Sequence, residues 1–133
     1  YSVSSWGYYQ DAGTVANNNS ASSYGDSYNS SGDIIGVALN IDDNELKFYK
    51  NGTVQNSGTA ISITAVASVP AGAYFFVMGD AASDSSSKAI ANFGNPDYAN
   101  TSSQSDANGY GDFEHAPPSG FYSLCTKNLA KYG

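Results

Sequence analysis

The chain has 133 residues, which is enough for one domain with a substantial core and too few for two. Twelve acidic residues against five basic ones give a net charge of −7. That balance argues against a nucleic-acid surface and against adhesion to an anionic membrane, because both need clustered basic side chains. Eleven Tyr and six Phe favour strands, and residues with high helix propensity are scarce.

The clearest local pattern is a β-hairpin over residues 32–52. Residues 34–41 are mostly apolar, and residues 45–50 alternate in the period of two that is typical of a strand with one buried face. Residues 42–44 (Asp-Asp-Asn) form the turn between them. The Asn51-Gly52 pair that follows predicts a second tight turn.

Further strands are predicted at residues 2–10, 60–69, 74–78 and 89–93. In the first of these, Val3 and Trp6 are the expected core residues, and the continuous apolar run 74–78 predicts a central strand. Short strands without helical periodicity predict an all-β fold, a two-sheet antiparallel β-sandwich.

The connections between these strands are polar. Residues 13–28 and 81–87 are predicted loops, and residues 95–118 are predicted irregular coil with aromatic anchors. Phe121 and Leu124 are expected to dock on the core.

Residues for catalysis are few. His115 is the single histidine and precedes two prolines, so we interpret it as a surface residue. Cys125 is the single cysteine, which excludes an intrachain disulfide, and we expect it to be a buried structural thiol. The chain is therefore predicted not to be an enzyme, and no cofactor is expected.

The densest acidic group is Asp42, Asp43 and Glu45. These carboxylates were candidates for a hard cation such as Ca²⁺ or for a glycosidase pair. Successive residues at a turn point apart, so we interpret them instead as solvated turn residues and predict no metal site.

Aromatic residues in Gly-, Ser- and Asn-rich segments are the candidate binding residues. Tyr offers contact area at small entropic cost, and its neighbours offer hydrogen bonds. The alternative is that these rings cap the edges of the sandwich. The candidates are Tyr8, Tyr9, Tyr24, Tyr28, Tyr98 and Tyr110.

Residues 32–52, GDIIGVALNIDDNELKFYKNG, resemble the signature hairpin of the SPRY (B30.2-like) domain. Residues 91–94 (Ala-Asn-Phe-Gly), 118–121 (Pro-Ser-Gly-Phe) and 124–129 (Leu-Cys-Thr-Lys-Asn-Leu) also fit. Together they resemble the SPRY variant of bacteriophage and related viral structural proteins. The likeness runs from about Trp6 onward.

That resemblance implies a concanavalin-like jelly roll over residues 1–126 that lacks its first strands, followed by a tail or linker at 127–133. It implies a module on the virion exterior, in a fibre, tail or capsid-decorating protein. The expected partners are neighbouring virion subunits, a host-surface glycan or a host protein, with no nucleic acid, no membrane insertion, and homo-oligomers within an assembly. The alternatives are a purely structural self-assembly module and a carbohydrate-active enzyme.

Overall fold

The computed structural model describes residues 2–79 and 88–132. The chain divides into two compact units, Tyr1–Tyr74 (unit 1) and Phe75–Gly133 (unit 2). The strands all lie in unit 1: β1 Trp6–Tyr9, β2 Thr14–Asn17, β3 Ser20–Ser23, β4 Ile35–Asn40, β5 Glu45–Lys50, β6 Thr53–Val54 and β7 Ile61–Ser62. Short 3₁₀ turns span Asn56–Gly58 and Val66–Ser68, and one helix, α1, spans Thr126–Tyr132.

The strands form two antiparallel sheets. One has the order β1-β2-β3, and the other has the order β4-β5-β6, with β7 also paired to β5. The predicted hairpin is confirmed, since β4 pairs with β5 from Ile35↔Lys50 to Asn40↔Glu45. An all-β sandwich is therefore the observed fold class, as the composition predicted.

The core of unit 1 lies between the two sheets. Its buried centre consists of Tyr24, Leu46, Phe48 and Ile63. Tyr8 of the first sheet contacts Phe48 of the second, with ring centroids 5.1 Å apart. Trp6 packs against this cluster, as expected, and meets the ring of Tyr74 at 5.9 Å. Aromatic contacts thus hold the two sheets together.

One hydrogen bond fills a gap in the second sheet. Along one side of β5, β7 pairs with Glu45 and Leu46, and β6 pairs with Tyr49 and Lys50, so Phe48 lies between the two partner strands. The Phe48 N–H donates to the Tyr24 hydroxyl at 3.1 Å, and the Phe48 carbonyl accepts from the Gln55 N–H at 2.9 Å. Tyr24 therefore replaces a missing ladder partner with its side chain.

The expected loop at residues 13–28 is partly wrong, because it contains β2 and β3. Asn18 and Asn19 connect these strands as a two-residue turn with φ of 48° and 58°. Asparagine tolerates this left-handed backbone, so a hairpin forms from a polar segment without hydrophobic alternation. Val3 is 62 % exposed, so its predicted place in the core is also wrong.

Two other predicted strands are not observed. Residues 74–78 and 89–93 carry no strand pairing within the described part of the chain. Val77 is 85 % exposed and Ile90 is 62 % exposed, although the rings of Phe76 and Phe93 touch at 6.0 Å. The predicted strand at 60–69 shortens to β7 followed by a 3₁₀ turn. An apolar run needs a strand beside it to form a ladder, and sequence does not supply that partner.

Unit 2 is mostly irregular. Residues 95–118 are coil, as predicted, with one isolated bridge between Gln104 and Phe113. Phe121 is half-buried, whereas Leu124 is 51 % exposed and does not dock as expected. Residues 127–132 of the predicted tail or linker belong to α1. The domain boundary at 126 stays a prediction.

A buried carboxylate organises the end of unit 2. Asp106 Oδ2 accepts hydrogen bonds from the Ser123 N–H at 2.9 Å, the Ser123 hydroxyl at 2.8 Å and the Asn128 amide at 2.6 Å. Its Oδ1 accepts from the Asn108 and Tyr110 N–H groups. Burial raises the pKa of Asp106, but the bonds from Ser123, Tyr110 and Asn128 outweigh it and hold the pKa well below its usual range.

We expect Tyr24→Phe to lower the free energy of unfolding of unit 1 by about 1–3 kcal/mol, because it leaves the Phe48 N–H buried without a partner. Urea denaturation followed by the fluorescence of Trp6, the single tryptophan of the chain, measures this. Tyr98→Phe, at a ring that is 38 % exposed, is the matched control and should stay within about 0.5 kcal/mol of wild type. Equal effects of the two substitutions would contradict the assigned role of Tyr24.

We expect acid to weaken the Asp106 network. Because the folded-state pKa is depressed, the stabilisation is complete above the ordinary Asp value of about 3.9 and is lost as pH falls below it toward the folded pKa. The protection factors for amide hydrogen exchange at Ser123 and Tyr110, measured from pH 6 to about pH 2 and corrected for the intrinsic rate at each pH, should fall accordingly. Asp106→Asn should show low protection factors at every pH, whereas Asp97→Asn, at an exposed carboxylate, should match wild type.

Candidate functional site

A depression lies at one edge of the sandwich in unit 1. Residues 23–26, which begin with the last residue of β3, form one wall, and residues 53–57, which include β6, form the other. Its volume is about 490 Å³, within the range of small ligand and side-chain sites. The depression is open to solvent and its lining is mainly polar. It can therefore receive side chains of a partner without enclosing a small molecule.

Gln55 forms the floor of the depression. It is 5 % exposed, and its Oε1 accepts hydrogen bonds from the Asp26 N–H at 2.8 Å and the Tyr8 hydroxyl at 3.4 Å. Its Nε2 donates to the Thr53 carbonyl at 3.0 Å. The side chain thus ties the end of the first sheet to β6 of the second, so the floor is fixed by bonds on both sides.

Backbone geometry shapes the two walls. Asn56 and Ser57 have φ of 54° and 50°, which turns the chain sharply after the floor residue. On the opposite wall, the Tyr24 and Gly25 N–H groups both donate to the Gly13 carbonyl, at 3.1 and 2.8 Å. The chain after β3 is therefore held against the turn that precedes β2.

The outer side of β3 leads into the depression. All four of its residues are exposed, and among the described strands it pairs with β2 alone. The Asn17↔Ser20 pair closes the two-residue turn, and the Tyr24 N–H donates to the Gly13 carbonyl, so both are hydrogen-bonded pairs. Hydrogen-bonded and non-hydrogen-bonded pairs alternate along an antiparallel ladder. Ala21 and Ser23 are therefore in non-hydrogen-bonded pairs, and their N–H and C=O groups point away from β2. No described residue bonds to these groups, so they form a free backbone edge without charged side chains.

The chemistry of the depression is hydrogen bonding. Asp26 supplies the one carboxylate of its lining, beside hydroxyls and amides. Burial, followed by the charge of Asp26, raises the pKa of Tyr8 to about 12, and burial also raises the pKa of Tyr24 and Tyr28. These phenols therefore remain protonated donors at neutral pH.

The six candidate tyrosines do not form one surface. Tyr8, Tyr24 and Tyr28 cluster behind the depression, with Tyr8 5.5 Å from Tyr24 and 5.0 Å from Tyr28. Tyr24 is 6 % exposed, so the expectation that it is a surface ring is wrong.

The remaining three candidates are more accessible. Tyr9 and Tyr98 are each 38 % exposed, and half-buried Tyr110 lies 5.3 Å beneath the Lys127 ammonium. A binding role for the six tyrosines stays a prediction.

The acidic group lies at the hairpin turn, as interpreted from sequence. Asp42 and Asp43 are exposed, Glu45 begins β5, and Asp43 accepts a hydrogen bond from the Asn40 amide at 2.7 Å. Within residues 2–79 and 88–132, no three His, Cys, Asp or Glu side chains are grouped so as to hold a metal ion. The same described residues include no helix with the length and apolar character needed to cross a bilayer.

The single histidine and the single cysteine of the chain are far in sequence from the residues that line the depression. His115 is exposed. Cys125 is half-exposed, so the expectation of a buried thiol is not met, and a hydrogen bond from the Ser123 hydroxyl lowers its pKa. The loop predicted at residues 81–87 lies outside the described residues.

Sequence reasoning missed the floor and one wall of the depression. Gln55 lies in a polar segment with no periodic pattern, so nothing in the sequence predicts that its side chain is buried. The Asn-Ser-Gly run at 56–58 does predict a turn. It does not reveal that this turn faces the end of β3, because that contact joins distant parts of the chain.

Comparison with known families identifies the fold family. The SPRY domain model matches residues 2–93. The chain belongs to the SPRY domain family. The matched region contains all seven strands and the depression. SPRY domains are protein-interaction modules and are generally non-catalytic. Neither the comparison with curated proteins nor the comparison with solved structures gave a match.

We expect Gly25→Ala to distort the depression. A Cβ at this position would lie 2.4 Å from Gln55 Oε1 and 2.8 Å from the Tyr8 hydroxyl oxygen, so the floor would have to move, at a cost of about 1–3 kcal/mol. Gly79→Ala is the matched control, since a Cβ there meets no atom of the described part of the chain within 4 Å. Urea denaturation measures the cost, and amide chemical shifts of residues 23–26 and 53–57 should change for Gly25→Ala alone.

Proposed function

We propose that this SPRY domain is a non-catalytic module that binds a protein partner at the sandwich edge. An extended segment of the partner pairs with the outer edge of β3 and places a side chain in the depression. The observation that carries this proposal is the free backbone edge at Ala21 and Ser23, which leads directly into a polar depression in a domain of a protein-interaction family.

Strand addition suits this edge. Natural sheets usually protect an exposed edge with lysine, proline or a bulge, and β3 (Ser-Ala-Ser-Ser) has none of these. Small side chains also leave room for an incoming strand. In this mode the main chain supplies affinity and side-chain pockets supply specificity.

The charge of the site favours a particular partner. Asp26 is the one acidic residue that lines the depression, and the whole chain carries a net charge of −7. The partner segment therefore carries a basic or hydrogen-bond-donating side chain at the position that reaches Asp26.

The proposed setting is the exterior of a virion, in a fibre, tail or capsid-decorating protein. Its support is the resemblance of residues 118–121 and 124–129 to viral SPRY variants. In that setting the partner is a neighbouring virion subunit or a host-surface protein, and a host-surface glycan is a further ligand.

Self-assembly is the second candidate. The exposed apolar segment that includes Phe75, Val77 and Met78 favours it, since 76 %, 85 % and 59 % of these residues are accessible. A copy of the chain would then be the partner, as expected for a repeating particle.

Site-specific photo-crosslinking tests the proposal. A benzoylphenylalanine at Thr53, an exposed residue on the wall of the depression, should give a discrete adduct in a native lysate of the source cells or particles. The same residue at Asp42, on the exposed hairpin turn, is the control and should give none.

The mass of the adduct separates the candidates. An adduct of one foreign protein at Thr53 supports partner binding, and an adduct of twice the chain mass supports self-assembly. Equal adducts at Thr53 and Asp42, or none at either, would overturn the assignment of the depression. Gold-labelled antibody against the chain, viewed on intact particles, tests the virion setting.

A further inference from the structure

A second surface, in unit 2, combines aromatic rings with ammonium groups. We call it the tyrosine–lysine patch, and it consists of Tyr110, Tyr122, Lys127, Lys131 and Tyr132. The rings of Tyr122 and Tyr132 lie 4.9 Å apart and are tilted by 31°. They are 45 % and 55 % exposed, so they present a broad ring surface to solvent.

The two lysines stand on the same face of α1, one turn apart at positions i and i+4. Lys127 Nζ lies 5.3 Å from the centroid of Tyr110, and Lys131 Nζ lies 5.1 Å from the centroid of Tyr132. Both distances are within the range of cation–π contacts. The Tyr132 hydroxyl, with Tyr110 and Tyr122 further away, raises the pKa of Lys131, so its charge persists above neutral pH.

Within residues 2–79 and 88–132, these ammonium groups have no carboxylate partner. Among the described residues the one ion pair joins Lys50 to Asp33, at 3.8 Å. Carboxylates outnumber basic groups by twelve to five, yet Lys127 and Lys131 contact tyrosine rings and the Asn108 amide oxygen instead. Like charges at i and i+4 repel each other slightly, so an anion between them would be favourable.

The patch is built on a fixed base. Asn108 Oδ1 accepts from Lys131 Nζ at 2.9 Å and from the Tyr132 hydroxyl at 3.2 Å. Asn108 Nδ2 donates to Asn128 Oδ1 at 2.8 Å, and Asn128 is bonded to the buried carboxylate of Asp106. The positions of the Lys131 ammonium and the Tyr132 hydroxyl are therefore set by hydrogen bonds that lead to the buried Asp106 carboxylate, which lowers the entropic cost of binding.

We propose that the tyrosine–lysine patch binds a carboxylate-bearing sugar. The carboxylate lies between the ammonium groups of Lys127 and Lys131, and the flat face of the sugar ring rests on Tyr122 and Tyr132. This site lies beyond the region matched by the SPRY domain, and it rests on the proposed function only for the glycan ligand named there.

The other anionic ligands fit less well. Asp and Glu side chains of an acidic peptide would use the ammonium groups but have no flat ring face to place on the tyrosines. A nucleic acid could stack on the rings, but its dense phosphate charge would meet a chain of net charge −7 that has no arginine. An isolated carboxylate on a sugar ring uses both parts of the patch.

Titration of the full chain with defined probes tests this proposal by two-dimensional NMR. Trigalacturonate should bind about tenfold more tightly than neutral maltotriose, the difference expected for one charge-assisted hydrogen bond. Shifts should concentrate at Tyr122 and residues 126–132. Lys131→Gln should weaken trigalacturonate binding about tenfold, and raising the salt concentration should weaken it further.

Control variants and probes keep the proposal falsifiable. Lys47→Gln, on β5 in unit 1, should leave binding unchanged, and Tyr122→Ala should weaken both sugars. Equal affinity for trigalacturonate and maltotriose, or no effect of Lys131→Gln, would overturn the proposal. Equally tight binding of hexaglutamate or oligo-dT would reassign the patch to an acidic peptide or to nucleic acid. Failure of these tests would leave crosslinking at Thr53, in the other unit, unaffected.

Discussion

The hydrogen bond from the Phe48 N–H to the Tyr24 hydroxyl is the constraint on which unit 1 depends. β6 and β7 pair with the two ends of the same side of β5, so the Phe48 N–H between them needs an acceptor from elsewhere in the chain. Tyr24 supplies it from the chain that follows the first sheet, so a polar bond and an aromatic contact act at one point in the core. Tyr24 and β6 also line the depression, which therefore lies beside this interruption in the second sheet.

Local chemistry made the hairpin and the fold class predictable. The alternation of residues 45–50, the acidic turn and the Asn-Gly pair each act over a few residues, and the structure contains the strands that they predict. The hairpin of β2 and β3 was missed because the Asn18-Asn19 turn and backbone pairing form it without an apolar face. The error at residues 74–78 is the opposite one, because a strand was predicted there and none is observed. An apolar run indicates burial but does not specify the strand that would pair with it.

The candidate site was harder to predict than the fold, because its parts come from distant segments. Tyr24 was predicted as a candidate binding residue, but in the structure its ring lies in the core and its hydroxyl accepts from the Phe48 N–H. Gln55 carries no pattern at all, and its burial follows from the approach of Asp26, which lies 29 residues earlier. In unit 2, the binding role predicted for Tyr110 stays a prediction, while the helix that brings Lys127 to its ring was expected to be a tail.

The exposed edge of β3 has a consequence for how this protein behaves in concentrated solution. A neutral, unprotected strand edge is a template on which identical chains could add without limit, as in fibrils. The excess of seven negative charges opposes this, since every copy repels every other over a distance of roughly 10 Å at 0.1 M salt. At the edge of β3, this repulsion favours partner strands that differ in charge from the chain over copies of the chain itself, so net acidity limits self-addition there.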